Sequence, residues 1–378
     1  MRKTGTHEIL GTTKFFIPKS LPPQEPLLNL DYTSTALYGD AMRYLGKLNE
    51  ISQRVPNTER FIKSYVTIEA LLSSAIEGVH TTLLDMFTQP LLETKPDKNT
   101  QLALNYTTAL YKAISMIKDE NYPIIADVML TAHKVLMESG EGDKSSPGRF
   151  RKQSVKVGNL VPPPHQKIKF LISELEKFIN ENKSLPPLIK AGLVHYQFET
   201  IHPFLDGNGR IGRMLIVLMM IESGLLSAPI LYPSYYFKKY SNDYYNSLRN
   251  VQTKGDFESW IIFYLSVIKN SSIDAYKRAL DIESLEKKTI KIIDTNKKLS
   301  TPVKKTMKKA LSIFFNYPVI SIKSLASKLN ASYNTAHKII MHCIDMNLLI
   351  EQTKQKREKL FRFSPYISVL EKEYDLKE

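Results

Sequence analysis

Residues 202–213, with the sequence HPFLDGNGRIGR, combine a base, a carboxylate, three glycines, an amide and two guanidinium groups. The pKa of a histidine such as His202 lies near neutrality, which suits it to take a proton from an attacking hydroxyl. Asp206 offers the hard oxygen ligands that Mg²⁺ prefers when it is shared with phosphates. Arg210 and Arg213 can donate forked hydrogen bonds to further phosphate oxygens. The combination predicts a site for a nucleotide phosphate and a nucleophile.

A helix that begins directly at this stretch must position these residues. Residues 214–221, MLIVLMMI, form an apolar run that predicts a buried helix, with Gly207, Asn208 and Gly209 at its N-terminus. Unpaired backbone N–H groups and the positive end of the helix dipole make such a position an anion site. Glycine also lets the backbone approach a phosphate and adopt the positive φ that a nest of N–H groups requires.

The simpler interpretation is a glycine turn that starts a core helix, and the Gly-Lys-Ser/Thr of a Walker A loop is absent. However, residues 202–213 resemble the signature of the Fic family, His-x-Phe-x-Asp/Glu-Gly-Asn-Gly-Arg-x-x-Arg, at every fixed position. The resemblance implies transfer of AMP from ATP to a protein hydroxyl. His202 would be the catalytic base, Asp206 would hold Mg²⁺ bridging the α- and β-phosphates, and Arg213 would bind the γ-phosphate. The nucleotide-binding residues implied within the signature are Asp206, Gly207, Asn208, Gly209, Arg210, Ile211, Gly212 and Arg213.

A second candidate element is the helix predicted over residues 61–78, which ends at Gly78. Ser73 and Glu77 lie four residues apart and therefore share one face. A glutamate in a last turn faces the negative end of the helix dipole and needs a cation, for which Arg210 and Arg213 are candidates. Ser73-x-x-x-Glu77-Gly78 also resembles the inhibitory motif of Fic proteins, which implies that Glu77 restrains the enzyme.

Two further segments are assigned to the nucleotide by resemblance. Residues 150–158, FRKQSVKVG, alternate in polarity and predict a β-hairpin or an extended segment. They resemble the Fic flap, which implies that Val155, Val157 and Gly158 lie over the nucleotide and that the flap aligns the target by strand addition. In the tyrosine-rich segment after residue 231, the resemblance places Tyr244 or Tyr245 against the purine and Gln252 on the same helix.

The composition indicates a globular protein with a basic surface. The formal charge is +14 and the pI about 9.4, which fits a polyanionic partner or a lysine-rich proteome. Cys343 is the only cysteine, so disulfides and cysteine metal sites are excluded and a reducing cytoplasm is expected. We see no signal peptide or membrane-spanning run. His133 is expected on a helix surface or in the core, and neither His133 nor His195 is expected to bind metal.

The expected fold is all-α, with a Fic-type helical core, a small β-hairpin flap and a C-terminal winged-helix domain. Residues 1–113 form an N-terminal helical region that starts with an irregular proline-rich arm over residues 1–30. Residues 114–270 form the Fic domain, residues 271–300 a linker or dimer helix, and residues 301–378 the winged helix. In that last domain Tyr333, Asn334, Thr335 and Lys338 begin the recognition helix, and residues 354–359 form a basic wing.

The favoured function is a protein adenylyltransferase that modifies a Ser, Thr or Tyr hydroxyl of a protein, which includes the chain itself, under restraint by Glu77. One alternative is a DNA-binding regulator in which the Fic core only senses ATP. Another is removal of AMP from a modified protein, with Glu77 orienting water. DNA and a second copy of the chain are the further partners left open.

Overall fold

The computed structural model describes residues 2–54, 58–138, 146–158, 160–352 and 359–374. Its centre is a pair of buried helices, α7 (Pro187–Ile201) and α8 (Asn208–Glu222), joined by a short loop. Almost every side chain of α8 is buried, as expected of a helix that is apolar on all sides. Helices α2 (Thr58–Ile76), α4 (Lys98–Lys118) and α5 (Ala126–Met137) pack on α8, and α6 (His165–Glu181) packs on α7. Helices α9 (Ser234–Lys239) and α10 (Ser241–Lys254) reach α7 through aromatic rings, and α3 (Leu83–Thr88) packs on α2 and α4. The predicted mainly helical fold class is confirmed.

Two long helices support this core along one side. Helix α11 (Phe257–Thr295) is continuous over 39 residues and packs along α1 (Tyr32–Arg54). The predicted boundaries at residues 113 and 270 therefore both fall inside helices, α4 and α11. The segment expected to be a linker is the second half of α11, and its inner face is buried from Ser271 to Ile282.

The N-terminal segment corrects the prediction of an irregular arm. Strands β1 (Gly5–Leu10) and β2 (Thr13–Pro18) form an antiparallel hairpin that turns at Gly11, whose φ is +62°. Its inner strand β2 buries Phe15 and Phe16. The prolines that indicated irregular structure begin only at Pro18, the last residue of β2. The arm does lie over the body of the protein, as expected.

The predicted flap hairpin is reduced in the structure to one bridge. Residues 150–156 are extended or bent without strand pairing, and the backbones of Val157 and Leu160 exchange two hydrogen bonds of 2.9 Å. Gly158 adopts a positive φ of +56° in the turn between them. The alternation of Val155 and Val157 predicted the extended backbone correctly, but three prolines at 162–164 prevent a longer returning strand.

The C-terminal unit contains α12 (Thr301–Asn316), β3 (Val319–Ser321), α13 (Ile322–Leu329), α14 (Tyr333–Asp345), β4 (Leu349–Glu351), β5 (Leu360–Phe363) and α15 (Ser364–Glu371). Its strands form an antiparallel sheet in the order β3-β5-β4. The predicted wing lies largely outside the described residues, between β4 and β5. The unit is attached to the core, since Tyr366 and Ser64 of α2 share a buried 2.8 Å hydrogen bond. No helix in the described part of the chain has the length and apolarity needed to cross a membrane.

Candidate active site

His202 ends α7 in an unusual backbone conformation that points its imidazole into the loop before α8. Its φ of +49° lies in the left-handed region of backbone conformation. Residues other than glycine seldom adopt this region, and those that do are often found at functional sites. The ring Nδ1 lies 3.3 Å from the carbonyl oxygen of Glu199. Because a carbonyl only accepts, Nδ1 carries the proton and Nε2 keeps its lone pair. Burial lowers the pKa of His202 to about 4, so the ring is neutral at pH 7.

The loop between His202 and α8 is held rigid from inside. The side-chain amide of Asn208 accepts from the N–H of Phe204 at 2.8 Å and donates to its carbonyl at 2.9 Å. The Phe204 ring is fully buried and stacks on His133, with centroids 3.8 Å apart and planes 3° from parallel. Phe204 thus packs beneath the loop, and His133 is buried in the core.

His133 also links the loop to the flap. The N–H of Gly148 donates to its Nδ1 at 3.0 Å, so Nε2 carries the proton and donates to the carbonyl of Asp206, also at 3.0 Å. Burial lowers the pKa of His133 to about 4, which keeps this pattern of one donor and one acceptor at neutral pH. Sequence reasoning missed this role because a histidine 69 residues before His202 carries no local motif.

Arg151 is a second link that the sequence did not reveal. Its guanidinium is buried and donates to the carbonyl oxygens of His202 at 2.8 Å and Pro163 at 2.7 Å. Its backbone N–H donates to the carbonyl of Pro203 at 2.9 Å. The flap therefore begins and ends against the loop that carries His202. In the sequence Arg151 is one of several basic residues of the flap segment, and nothing distinguishes it from its exposed neighbours Lys152 and Lys156.

The N-terminus of α8 is open, as an anion site requires. Gly207 stands just before the helix with a φ of +82°, and among the described residues no side chain accepts from the N–H groups of the first turn. Asp206 accepts from the N–H of Gly207 at 2.6 Å, and its side chain is 60% exposed. The Arg210 guanidinium is buried beside it, 3.4 Å from both carboxylate oxygens, while Nε and one terminal nitrogen have no partner among the described residues. Free N–H groups and spare guanidinium donors thus converge on one spot.

Arg213 and Glu77 form the ion pair that the sequence predicted. One guanidinium nitrogen of Arg213 lies 2.7 Å from the Glu77 carboxylate. Ser73 completes the contact by accepting from Arg213 through both its hydroxyl and its carbonyl, each at 2.9 Å. Burial alone would raise the pKa of Glu77, but the Arg213 charge and hydrogen bond hold it below its ordinary value. Glu77 is therefore ionised and occupies the Arg213 guanidinium.

Gly209 explains how Glu77 reaches so close to α8. A Cβ at residue 209 would overlap the Glu77 carboxylate and lie 2.9 Å from the Arg213 guanidinium. The glycine therefore leaves room for the carboxylate at the first turn of the helix, where the chemistry predicts a phosphate. Glu199 abuts Gly212 one turn later in the same way, and burial raises the pKa of its carboxyl to about 8.

The structure brings the signature residues together with Ser73 and Glu77, but two predicted nucleotide contacts, Tyr244 and Ile211, differ, while Tyr245 stays a prediction. The Tyr244 ring is 1% exposed, and its hydroxyl is 2.7 Å from His195 in the core, so it cannot stack on a purine. Tyr245 is 51% exposed and close enough to Glu77 for their charges to interact. The side chain of Ile211 is buried and its N–H bonds the carbonyl of Gly207, so this residue offers no free group to a ligand.

The remaining predicted contacts stay predictions. Val157 is 38% exposed on the flap, Val155 is partly buried, and Gly158 forms the turn. Gln252 lies near the end of α10, where its carbonyl accepts from Thr4. His195 is buried at hydrogen-bond distance from Tyr244, and among the described residues no cluster of three or more His, Cys, Asp or Glu side chains could hold a metal.

Two profiles of known protein families match parts of this sequence. A profile described as "Fic/DOC family" matches residues 123–220, and one described as "Fic/DOC family N-terminal" matches residues 35–115. Protein adenylyltransferase Fic of Drosophila yakuba is 32% identical over 154 residues, which are 40% of this chain and 29% of that protein. The protein of the same name from Drosophila mojavensis is 26% identical over 246 residues, 63% of this chain and 45% of that protein. The chain spans less than half the length of these relatives.

Solved structures share the fold. A Fic family protein from Desulfovibrio desulfuricans superposes with a TM-score of 0.56 at 20% identity, over 89% of this chain and 97% of that one. Fic-1 from C. elegans superposes with a TM-score of 0.54 at 19% identity, over 66% of this chain and 74% of that one. These matches bear out the predicted resemblance to the Fic family, and the names of these relatives do not favour the two alternative functions.

Proposed function

We propose that this chain, which matches Fic/DOC family models over residues 35–115 and 123–220, transfers AMP from ATP to a side-chain hydroxyl of a protein. One observation carries the proposal: a neutral histidine with a free Nε2 stands beside an uncapped helix N-terminus. The first group can take a proton and the second can hold phosphate oxygens. The curated relatives that it resembles are named as protein adenylyltransferases.

The chemistry follows from the positions of these groups. The acceptor hydroxyl oxygen would form a bond to the α-phosphorus of ATP while its proton moves to Nε2 of His202. The bond from the α-phosphorus to the oxygen it shares with the β-phosphate would break, and pyrophosphate would leave. The rigid loop beneath His202 supports this step, since positioning and fixed dipoles supply most of the rate in such transfers.

Asp206 is the residue we propose for Mg²⁺. Its side chain is exposed beside the anion site, and among the described residues one carboxylate oxygen has only the long 3.4 Å contact with Arg210. A single hard carboxylate oxygen next to a phosphate site fits Mg²⁺, which keeps most of its other ligands as water and phosphate oxygens. The ion would neutralise charge on the phosphates.

We also propose that Glu77 restrains the reaction. Arg213 is the group at this end of the site that a γ-phosphate would use, and Glu77 holds it. While this pair persists, ATP would bind with its α-phosphate out of line with the acceptor. Release of Glu77 would be the activating step.

Intact-protein mass spectrometry after incubation with ATP and Mg²⁺ tests the proposal on the chain itself. Incubation of cell extract with ATP labelled at the α-phosphate tests it on other proteins. We expect covalent adenylyl groups on protein hydroxyls in at least one experiment. If a Glu77→Gly variant that is folded and binds ATP attaches label to no protein, adenylyl transfer is contradicted.

A second function, DNA binding by a winged-helix unit, is favoured by the exposed face of α14. Ser332 caps this helix, and its outward side chains include Tyr333, Asn334, Thr335 and Lys338. Helix, turn, helix and hairpin follow one another as in winged-helix domains, whose second helix enters the major groove. Retention on duplex DNA at low salt that falls steeply as salt rises would support this function, and no retention at low salt would refute it.

A further inference from the structure

The outer strand of the N-terminal hairpin, β1, has an open edge whose unpaired groups can be deduced from the register. The N–H of Phe16 donates to the carbonyl of Val161, so Phe16 points its backbone groups away from β1. Its partner across the hairpin is His7, and antiparallel pairs alternate between bonded and non-bonded. The Gly5, His7 and Ile9 positions therefore direct their N–H and C=O groups outward.

These groups form a strand template. Among the described residues, nothing pairs with the outer edge of β1. Such an edge is the place where a second extended chain adds by main-chain hydrogen bonds. Ile9 is 70% exposed and Leu10 is 44% exposed, so apolar side chains accompany the open backbone.

The hairpin is continuous with the site. The bond from Phe16 to Val161 joins β2 to the chain just after the flap, and Arg151 joins that chain at Pro163 to the carbonyl of His202. A second anchor runs from the Gln197 side chain of α7 to the carbonyl of Lys19 at 2.9 Å. An extended segment bound on β1 would therefore be held by the same framework that holds the catalytic loop.

Charge around the edge identifies the occupant. Exposed lysines lie on the hairpin and directly beside it in the chain, namely Lys3, Lys14 and Lys19. The one acidic residue of β1, Glu8, is paired with Lys167. A second copy of the chain would bring the same lysines to face their equivalents, which is unfavourable. An acidic partner matches this surface.

We propose that β1 docks an acidic, extended segment of the protein substrate by strand addition. The proposal rests on the proposed function, because the segment belongs to the protein that receives AMP. The bound segment would give the enzyme selectivity for its target at a place separate from the reacting hydroxyl.

The test uses two synthetic ten-residue peptides on the full chain. One alternates valine with glutamate, and the other alternates valine with lysine. We expect the acidic peptide to bind, measured by fluorescence anisotropy, and to slow hydrogen exchange at the amides of Gly5, His7 and Ile9. The lysine peptide should not bind.

His7→Pro removes one outward N–H without breaking a hairpin bond, whereas His7→Ala keeps that N–H and is the matched control. Loss of one hydrogen bond should weaken binding of the acidic peptide about three- to tenfold in His7→Pro and little in His7→Ala. Hydrogen exchange at Thr6 and Glu8 reports whether the hairpin stays paired. If His7→Pro unpairs it, Ile9→Glu serves instead and should weaken binding by charge.

Equal binding of both peptides, no binding at all, or binding unaffected by His7→Pro and Ile9→Glu would overturn the proposal. A dimer of the free protein that Ile9→Glu disrupts would assign the edge to a second copy instead and would also overturn it. These readouts do not depend on AMP transfer. Absence of adenylyl transfer in every variant would therefore refute the proposed function while leaving the peptide result to decide docking.

Discussion

Replacement of Glu77 by glycine should activate the enzyme. The substitution removes the carboxylate that holds Arg213 at 2.7 Å. It should leave the fold intact because α2 ends at Ile76, so Glu77 lies in the turn after the helix and not within it. Gly78 already adopts a positive φ of +78° next to it. The freed guanidinium would still be oriented by Ser73, through hydrogen bonds of 2.9 Å, and could receive the γ-phosphate.

The size of the effect follows from the contact that is lost. A hydrogen bond between charged groups stabilises by about 1.5–3 kcal/mol. The arginine is buried, with 1% of its side chain exposed, but Glu77 is 32% exposed, so solvent screens the pair. We therefore expect about 1–2 kcal/mol, which corresponds to a five- to thirtyfold rise in the rate of AMP transfer.

Initial rates with α-labelled ATP measure this rise. Glu59→Ala removes an exposed glutamate from the other end of the same helix and should leave the rate unchanged, as the matched control. Arg213→Ala should lower the rate, and the double variant should resemble it, since the restraint acts only through that arginine. A folded Glu77→Gly protein that transfers AMP no faster than wild type would refute autoinhibition.

Further predictions concern the loop and its supports. His202→Asn should lower the rate of AMP transfer by ~10²–10⁴-fold with ATP binding retained, because asparagine tolerates the left-handed backbone of φ +49° but is no base; wild-type turnover would refute the assignment. Asp206→Asn should abolish activation by Mg²⁺ in a titration of rate against metal, and an unchanged titration would exclude Asp206 as a ligand. His133→Phe should keep the ring stack but leave the Gly148 N–H and the Asp206 carbonyl unpaired, lowering the free energy of unfolding by about 1–3 kcal/mol in denaturant titrations. The pKa of His202 is lowered to about 4, so its contribution to stability is complete above pH 6.5 and is lost as pH falls toward 4. The free energy of unfolding should therefore depend less steeply on pH over that range in His202→Asn than in wild type. Equal slopes in the two proteins would contradict the buried neutral ring.

The signature stretch could be predicted from sequence because its chemistry is local. All of its glycines, its carboxylate and its two arginines lie close to the first turns of one helix, so they must lie near the same helix N-terminus. The structure places Asp206, Gly207 and Arg210 there. The Glu77 to Arg213 contact spans 136 residues, yet it was predicted. A glutamate at the negative end of a helix needs a cation, and that need is visible in one segment alone.

The supports of the site could not be predicted in the same way. Arg151 and His133 donate hydrogen bonds to backbone carbonyls of a loop distant in sequence. Because every residue has a backbone carbonyl, the sequence does not show which one accepts. The sequence predicted Tyr244 or Tyr245 at the purine without deciding between them, because neighbouring tyrosines in an aromatic helix look alike in sequence. Which face of α10 is buried depends on how it packs against His195, Phe237 and Trp260, which sequence spacing does not determine.

The N-terminal hairpin escaped prediction for a related reason. Its strands are short, and β2 is stabilised by burial of Phe15 and Phe16 and by the contact with Val161 more than by local preference. Continuity of α11 was missed because its charged second half suggested solvent exposure, whereas its inner face packs against α1 and the C-terminal unit.

The most direct measurement of the central claim compares two labelled forms of ATP on the Glu77→Gly protein. With Mg²⁺ present, label at the α-phosphate should become covalently attached to protein, and label at the γ-phosphate should appear only in released pyrophosphate. The attached label should disappear when His202→Asn is added to the same protein. Label transferred from the γ-phosphate, or from neither position, would contradict the account of this site as one that transfers AMP.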